Sequence, residues 1–91
     1  MHLILYSKPG CHLCEGLQEK LEQIQADSGS RCQFDLEIRD ITTREDWFNI
    51  YQYEVPVLYK QSDANSPEEL LPRPSPRIST KQLEKILIRY L

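Results

Sequence analysis

Apolar residues fall along this chain in runs whose spacing changes from stretch to stretch. Leu3, Ile4, Leu5 and Tyr6 are consecutive, the pattern of an interior strand covered on both faces. From Cys11 to Ala26 the period lengthens. Leu13, Cys14, Leu17, Leu21 and Ile24 mark one face, and Glu15, Glu19, Lys20, Glu22 and Gln23 the other, which predicts an amphipathic helix. Gly16 inside it costs about 1 kcal/mol relative to Ala, which the close approach of another element would explain. Asp27-Ser28-Gly29-Ser30 ends the helix, with Gly29 as a left-handed cap. Cys32 to Ile38 then alternates apolar with polar, predicting a strand with one buried face or an edge strand. Strand, helix and strand over this length make a right-handed parallel unit.

Thr42 or Thr43 is placed to cap a second helix, with Glu45 or Asp46 following as in a capping box. Trp47, Ile50 and Tyr51 give that helix its apolar face. Glu54-Val55-Pro56-Val57-Leu58-Tyr59 reads as a strand with proline near its start, where a strand tolerates it. A polar turn follows, and then Glu68-Glu69-Leu70-Leu71 returns as a short strand. Pro72 to Arg77 carries three prolines and forms a stiff extended connector. Ser79 caps a last helix with Gln82 three residues on, and Leu83, Ile86, Leu87 and Tyr90 are its apolar face.

The chain has 91 residues, which suits a single domain over 1–91 with a modest core. A formal net charge of -3 argues against nucleic acid or an anionic membrane as partner. No apolar run approaches the roughly 20 residues of a membrane helix, and no leader pattern precedes the first strand. A cytoplasmic location and a monomer are expected. Three cysteines are not a disulfide framework, because the count is odd and two of them share a helix.

Those two carry the chemistry. Tyr6-Ser7-Lys8-Pro9-Gly10-Cys11-His12-Leu13-Cys14 is strand, turn, Cys-x-x-Cys and helix start, which reads as a thiol–disulfide redox site. Residues three apart on a helix share a face, so the two sulfurs can join without unfolding anything. The helix N-terminus favours thiolate over thiol. Cys11 lies nearest that end and is the candidate attacking sulfur; Cys14, one turn in, is the candidate resolving one. Lys8 adds positive charge. His12 either tunes the thiolate or is solvated. Two buried structural cysteines are one alternative. Half of a zinc site is another, although zinc takes four ligands and no second Cys-x-x-Cys or His-x-x-x-His is present. Cys32 reads as a small buried hydrophobe.

The order β-α-β-α-β-β-α, with Cys11-x-x-Cys14 at the first helix and Val55-Pro56 opening the third strand, resembles the thioredoxin superfamily. It is most similar to small glutaredoxin-like proteins. The resemblance implies an α/β thioredoxin fold: a four-stranded mixed sheet with the first and third helices on one face and the second on the other. It implies a cis Val55–Pro56 bond, backbone hydrogen bonds from Val55 to an extended substrate, and Pro56 close to the sulfurs. Common glutaredoxins have Cys-Pro-Tyr-Cys, and a Gly-Gly turn with an acidic residue that grips glutathione. Here the corresponding places hold Cys11-His12-Leu13-Cys14 and Arg73-Pro74-Ser75-Pro76-Arg77. Glutathione is therefore left open as a co-substrate, and no resident cofactor is expected.

The function expected is thiol–disulfide oxidoreduction on a protein or small-molecule disulfide. Cys11 attacks, Cys14 resolves, Val55 and Pro56 position the substrate, and Lys8 assists. Arg73, Arg77 or both are candidates to bind a carboxylate, since a guanidinium grips one in bidentate fashion. An iron–sulfur or metal carrier using Cys11, and a non-catalytic binding module on the same fold, are the alternative functions.

Overall fold

Leu3, Ile4 and Leu5 are buried on both sides because their strand lies inside the sheet. The computed structural model describes residues 1–90, so Leu91 lies outside it. Its elements are β1 (His2–Ser7), α1 (His12–Ala26), β2 (Asp35–Asp40), α2 (Glu45–Tyr51), β3 (Val57–Gln61), β4 (Glu69–Leu70) and α3 (Thr80–Tyr90). The strands make one four-stranded sheet in the order β2-β1-β3-β4. β1 is parallel to β2 and antiparallel to β3, and β4 is antiparallel to β3. The sheet is therefore mixed, with the expected connectivity.

Alternation along β1 divides the core in two. Leu3 and Leu5 pack with Leu17, Leu21 and Ile24 of α1, Leu83 and Leu87 of α3, and Leu58 of β3. Ile4 and Tyr6 face the other way, onto Ile41, Trp47, Tyr51 and Tyr59. So α1 and α3 share one face and α2 covers the other. The N-terminus of α3 carries the anticipated capping box. Ser79 Oγ accepts the Gln82 N–H at 3.1 Å, and Gln82 Oε1 accepts the Ser79 N–H at 3.0 Å. Among the described residues no helix is long and apolar enough to cross a membrane.

Several local expectations are corrected. The alternating stretch does not begin a strand at Cys32. Pairing starts at His2↔Asp35, since β1 extends no earlier than His2 and offers residues 32–34 no partner. Ile38 is 39% exposed, on an edge strand beside Glu15 and Gln18. Gly29 is not a left-handed cap. Asp27 Oδ1 accepts the Gly29 N–H at 3.0 Å and turns the chain there instead. Among the described residues only Gly10 has positive φ.

The second helix is not capped by threonine. Asp40 ends β2 and accepts the Thr42 N–H at 2.9 Å, closing a short 3-10 turn over Ile41–Thr43. α2 then starts after Arg44 with no side-chain cap. Ile41 takes the core position expected of Ile50, which is 62% exposed. β3 begins at Val57 rather than Glu54, because Glu54 and Val55 donate their N–H groups to Tyr51 at the end of α2.

Candidate active site

The redox pair is built where β1 hands over to α1. Pro9 and Gly10 turn the chain, and Gly10 takes φ +78°, a conformation that suits a residue without Cβ. The Cys11 N–H donates to the Lys8 carbonyl at 3.3 Å and closes the turn. Cys11 is then the N-cap of α1, and its Sγ accepts the Cys14 N–H at 3.2 Å. A cap side chain normally receives such an N–H on oxygen; here a sulfur takes that place. Cys14, one turn in, is fully buried, and Cys11 is part-exposed. The two are joined as a disulfide with Cα atoms 5.2 Å apart.

A groove of about 230 Å³ runs along α1 from His12 and Leu13, the two residues between the cysteines. His12, Leu13, Gly16, Leu17 and Lys20 form one wall, and Arg73, Pro74, Ser75, Pro76 and Ile78 of the connector form the other. Pro56 lines it as well. It is buried and follows a cis peptide bond. Lys20 Nζ donates to the Pro76 carbonyl at 3.2 Å, tying the two walls together. The lining is mostly apolar and holds no carboxylate.

The structure brings some of the candidate residues together and separates others. Pro56 and Arg73 line the groove together with His12 and Leu13, the two residues between the disulfide-bonded Cys11 and Cys14. Arg73 makes no ion pair or side-chain hydrogen bond among the described residues. Arg77 points elsewhere, into a separate depression with Lys85 and Arg89 of α3. Lys8 Nζ donates to the Gln52 carbonyl at 3.1 Å, so its charge sits at the C-terminal end of α2. Val55 has its N–H taken by the Tyr51 carbonyl at 3.1 Å. His12 is solvated, with its side chain 95% exposed. Cys32 is buried and free. Among the described residues no group of three His, Cys, Asp or Glu side chains comes together as a metal-ligand set.

Sequence reading missed the wall residues Gly16 and Lys20 and the support beneath Tyr6. Tyr6 stacks on Tyr51 with ring centroids 4.3 Å apart and meets Trp47 and Tyr59 edge-on. Arg39 Nη1 donates to Tyr6 Oη at 2.7 Å and to Glu68, and Arg39 Nε donates to Glu37. The Arg39 guanidinium, with help from His2, holds the Glu37 carboxyl below its usual range against the opposing effect of burial. Burial, then the bond to Tyr59, raises the Tyr51 hydroxyl. This network fixes the strand end from which the redox turn departs. Its only sequence signal is an arginine inside a strand opposite a tyrosine.

Comparison with known proteins agrees with this architecture. No curated protein sequence matches the chain. A structural-genomics target protein from X. campestris is 25% identical, with 96% of each chain covered and a TM-score of 0.58. A malarial protein is 14% identical, covering 99% of this chain and 96% of its own, with a TM-score of 0.66. Thioredoxin 1 from the thermophilic eubacterium Thermosipho africanus is 17% identical, covering 99% and 93%, with a TM-score of 0.63. Together they show that the fold is the thioredoxin fold. Residues 2–88 match the glutaredoxin-like domain (DUF836), and with its Cys11–Cys14 disulfide the chain belongs to that family as a small glutaredoxin-like member of the thioredoxin superfamily.

Proposed function

We propose that the protein is a thiol–disulfide oxidoreductase acting as a monomer on peptide or protein disulfides in the cytoplasm. One observation carries the reading: a part-exposed cysteine at a helix cap and a buried one a turn in are already joined, and the two residues between them, His12 and Leu13, line an open groove with Pro56. In the reduced dithiol, the helix N-terminus and the Cys14 N–H stabilise negative charge on Cys11 Sγ. That thiolate attacks one sulfur of the substrate disulfide. A Cys11–substrate mixed disulfide forms, and the other substrate sulfur leaves as thiolate. Cys14 gives up its proton and attacks Cys11 Sγ, which re-forms the Cys11–Cys14 bond and releases the second substrate thiol. Two electrons and two protons pass to the substrate, and an external thiol reductant returns them to the pair.

Pro56 and the Val55 carbonyl position the substrate backbone, because the Val55 N–H is already engaged. Arg73 meets a carboxylate of the substrate. Lys8 acts through the Gln52 carbonyl it holds, as a positioning residue. Reduction of insulin and of a small neutral disulfide by the purified dithiol form tests the reading. Turnover by the parent, a trapped mixed disulfide with Cys14→Ser, and no adduct with Cys11→Ser support it. A parent inert toward both disulfides under reducing turnover leaves a binding module instead. A visible absorption band in freshly purified protein, lost with Cys11→Ser, points to a metal or iron–sulfur carrier.

A further inference from the structure

Gly16 is out of place by every structural criterion but one. It lies inside a helix, where glycine is among the least favourable residues. Its φ is not positive, so no left-handed turn requires it. A Cβ built on it meets no atom within 4 Å, so no close approach requires it either. The packing reason that the sequence suggested is therefore absent. What remains is position: Gly16 lines the groove beside the redox pair, one turn on from His12 and Leu13.

We propose that Gly16 is a specificity-determining residue, whose missing side chain keeps the groove open for one apolar side chain of a peptide disulfide. This rests on the oxidoreductase reading and names its substrate class. Leu13, Leu17, Pro74 and Ile78 give the walls their mostly apolar character, with Ser75 and His12 as the uncharged polar side chains among them. At about 230 Å³ the space is below the 300–1,000 Å³ usual for a drug-sized ligand, and it suits a single side chain. Charge fixes the neighbour. Arg73 and Lys20 are the cations at the rim, no carboxylate lines the groove, and Lys20 is already bonded to the Pro76 carbonyl. The occupant is therefore an apolar residue beside the substrate cysteine, with an acidic residue in reach of Arg73.

The probes are disulfide-linked homodimers of a short Asp-containing peptide, with Leu or Gly beside the cysteine. The readout is the ratio of kcat/KM between the two. In the parent the Leu peptide is favoured roughly tenfold or more, the discrimination of an apolar pocket. Gly16→Leu fills the space and brings the ratio near one. Gly16→Ala lowers the ratio partway while raising Tm by roughly 4–8 °C, since alanine relieves the helix cost. A folded Gly16→Leu that keeps the parent ratio overturns the proposal. Should Gly16→Leu not fold, an unchanged ratio in Gly16→Ala overturns it. If the parent reduces neither peptide nor a small disulfide, the oxidoreductase reading fails by itself. Equilibrium binding of a fluorescently tagged Leu peptide thiol then decides: weaker binding by Gly16→Leu supports the groove assignment, and equal binding overturns it.

Discussion

Cys32 is a thiol that the proposed chemistry does not use, and pH exposes how the core treats it. Its side chain is fully buried in the cluster that α1 and α3 build on the sheet. Ser30 Oγ accepts the Cys32 N–H at 3.1 Å and donates to Glu84 at 2.6 Å, holding a carboxylate nearby. Burial pushes the Cys32 thiol from about 9 up to about 11, and the Glu84 charge adds to the push. Between those values the folded chain keeps a proton that the unfolded chain has lost. The unfolded state binds fewer protons there, so stability falls as pH rises. One unit of pKa corresponds to about 1.4 kcal/mol. By pH 10 the parent has therefore lost roughly 1.4 kcal/mol through this one group.

Cys32→Ala removes that slope and also deletes a buried sulfur, at about 1 kcal/mol on the scale of one methylene with a small cavity. The two effects oppose each other. The variant is weaker than the parent by about 1 kcal/mol at pH 7 and nearly equal to it at pH 10. Urea denaturation at both pH values measures this, in a Cys11→Ser/Cys14→Ser background where Cys32 is the sole thiol. Lysines and tyrosines titrate alike in both proteins and cancel in the difference. A stability difference that stays constant from pH 7 to 10 refutes the reasoning, as does native-state alkylation at the rate of a free thiol.

In the reduced protein, iodoacetamide at neutral pH modifies Cys11 well before Cys14, because Cys11 is part-exposed and its sulfur accepts an N–H whereas Cys14 is fully buried; faster reaction of Cys14 in the single-serine variants reverses the roles. Arg73→Ala raises KM for an acidic disulfide about tenfold, the effect of losing one charge-assisted contact of about 1.5–3 kcal/mol. It barely changes KM for a neutral disulfide, and Arg77→Ala has the smaller effect on both because Arg77 lies in the other depression; equal effects of the two variants sink the assignment. The depressed Glu37 carboxyl contributes stability that is present above the ordinary glutamate range and lost as pH falls through its lowered pKa. Arg39→Gln flattens that acid limb, and acid titrations followed by circular dichroism that superimpose for parent and variant contradict it. Ser79→Ala loses the cap of α3 and about 1 kcal/mol of stability, read from urea midpoints.

Much of the fold was legible because its signals are local. A continuous apolar run, a helical period, Ser79 with Gln82 at capping distance, and proline at a strand start each depend on a few neighbouring residues. The redox pair was legible for the same reason, since Cys11 and Cys14 are held by one turn of one helix. The misreadings came from distant constraints. Cys32 and Phe34 alternate as a strand would, yet strand formation needs a partner, and β1 supplies none before His2. Thr42 and Thr43 are good caps, but Asp40 is nearer to the end of β2 and takes the Thr42 N–H first.

The groove is the harder case. Its walls come from α1 and from a connector about sixty residues later, and no sequence window contains both. Gly16 shows how the two kinds of information combine. Sequence alone marks it as a cost without saying what the cost is for, and the natural guess was packing. The structure removes that guess, because a Cβ on Gly16 would meet no atom within 4 Å, and it puts open space there instead. A glycine that weakens its own helix, and whose missing side chain would touch nothing, has its reason outside the folded chain. For a residue one turn from a redox pair, that reason is the molecule the pair acts on.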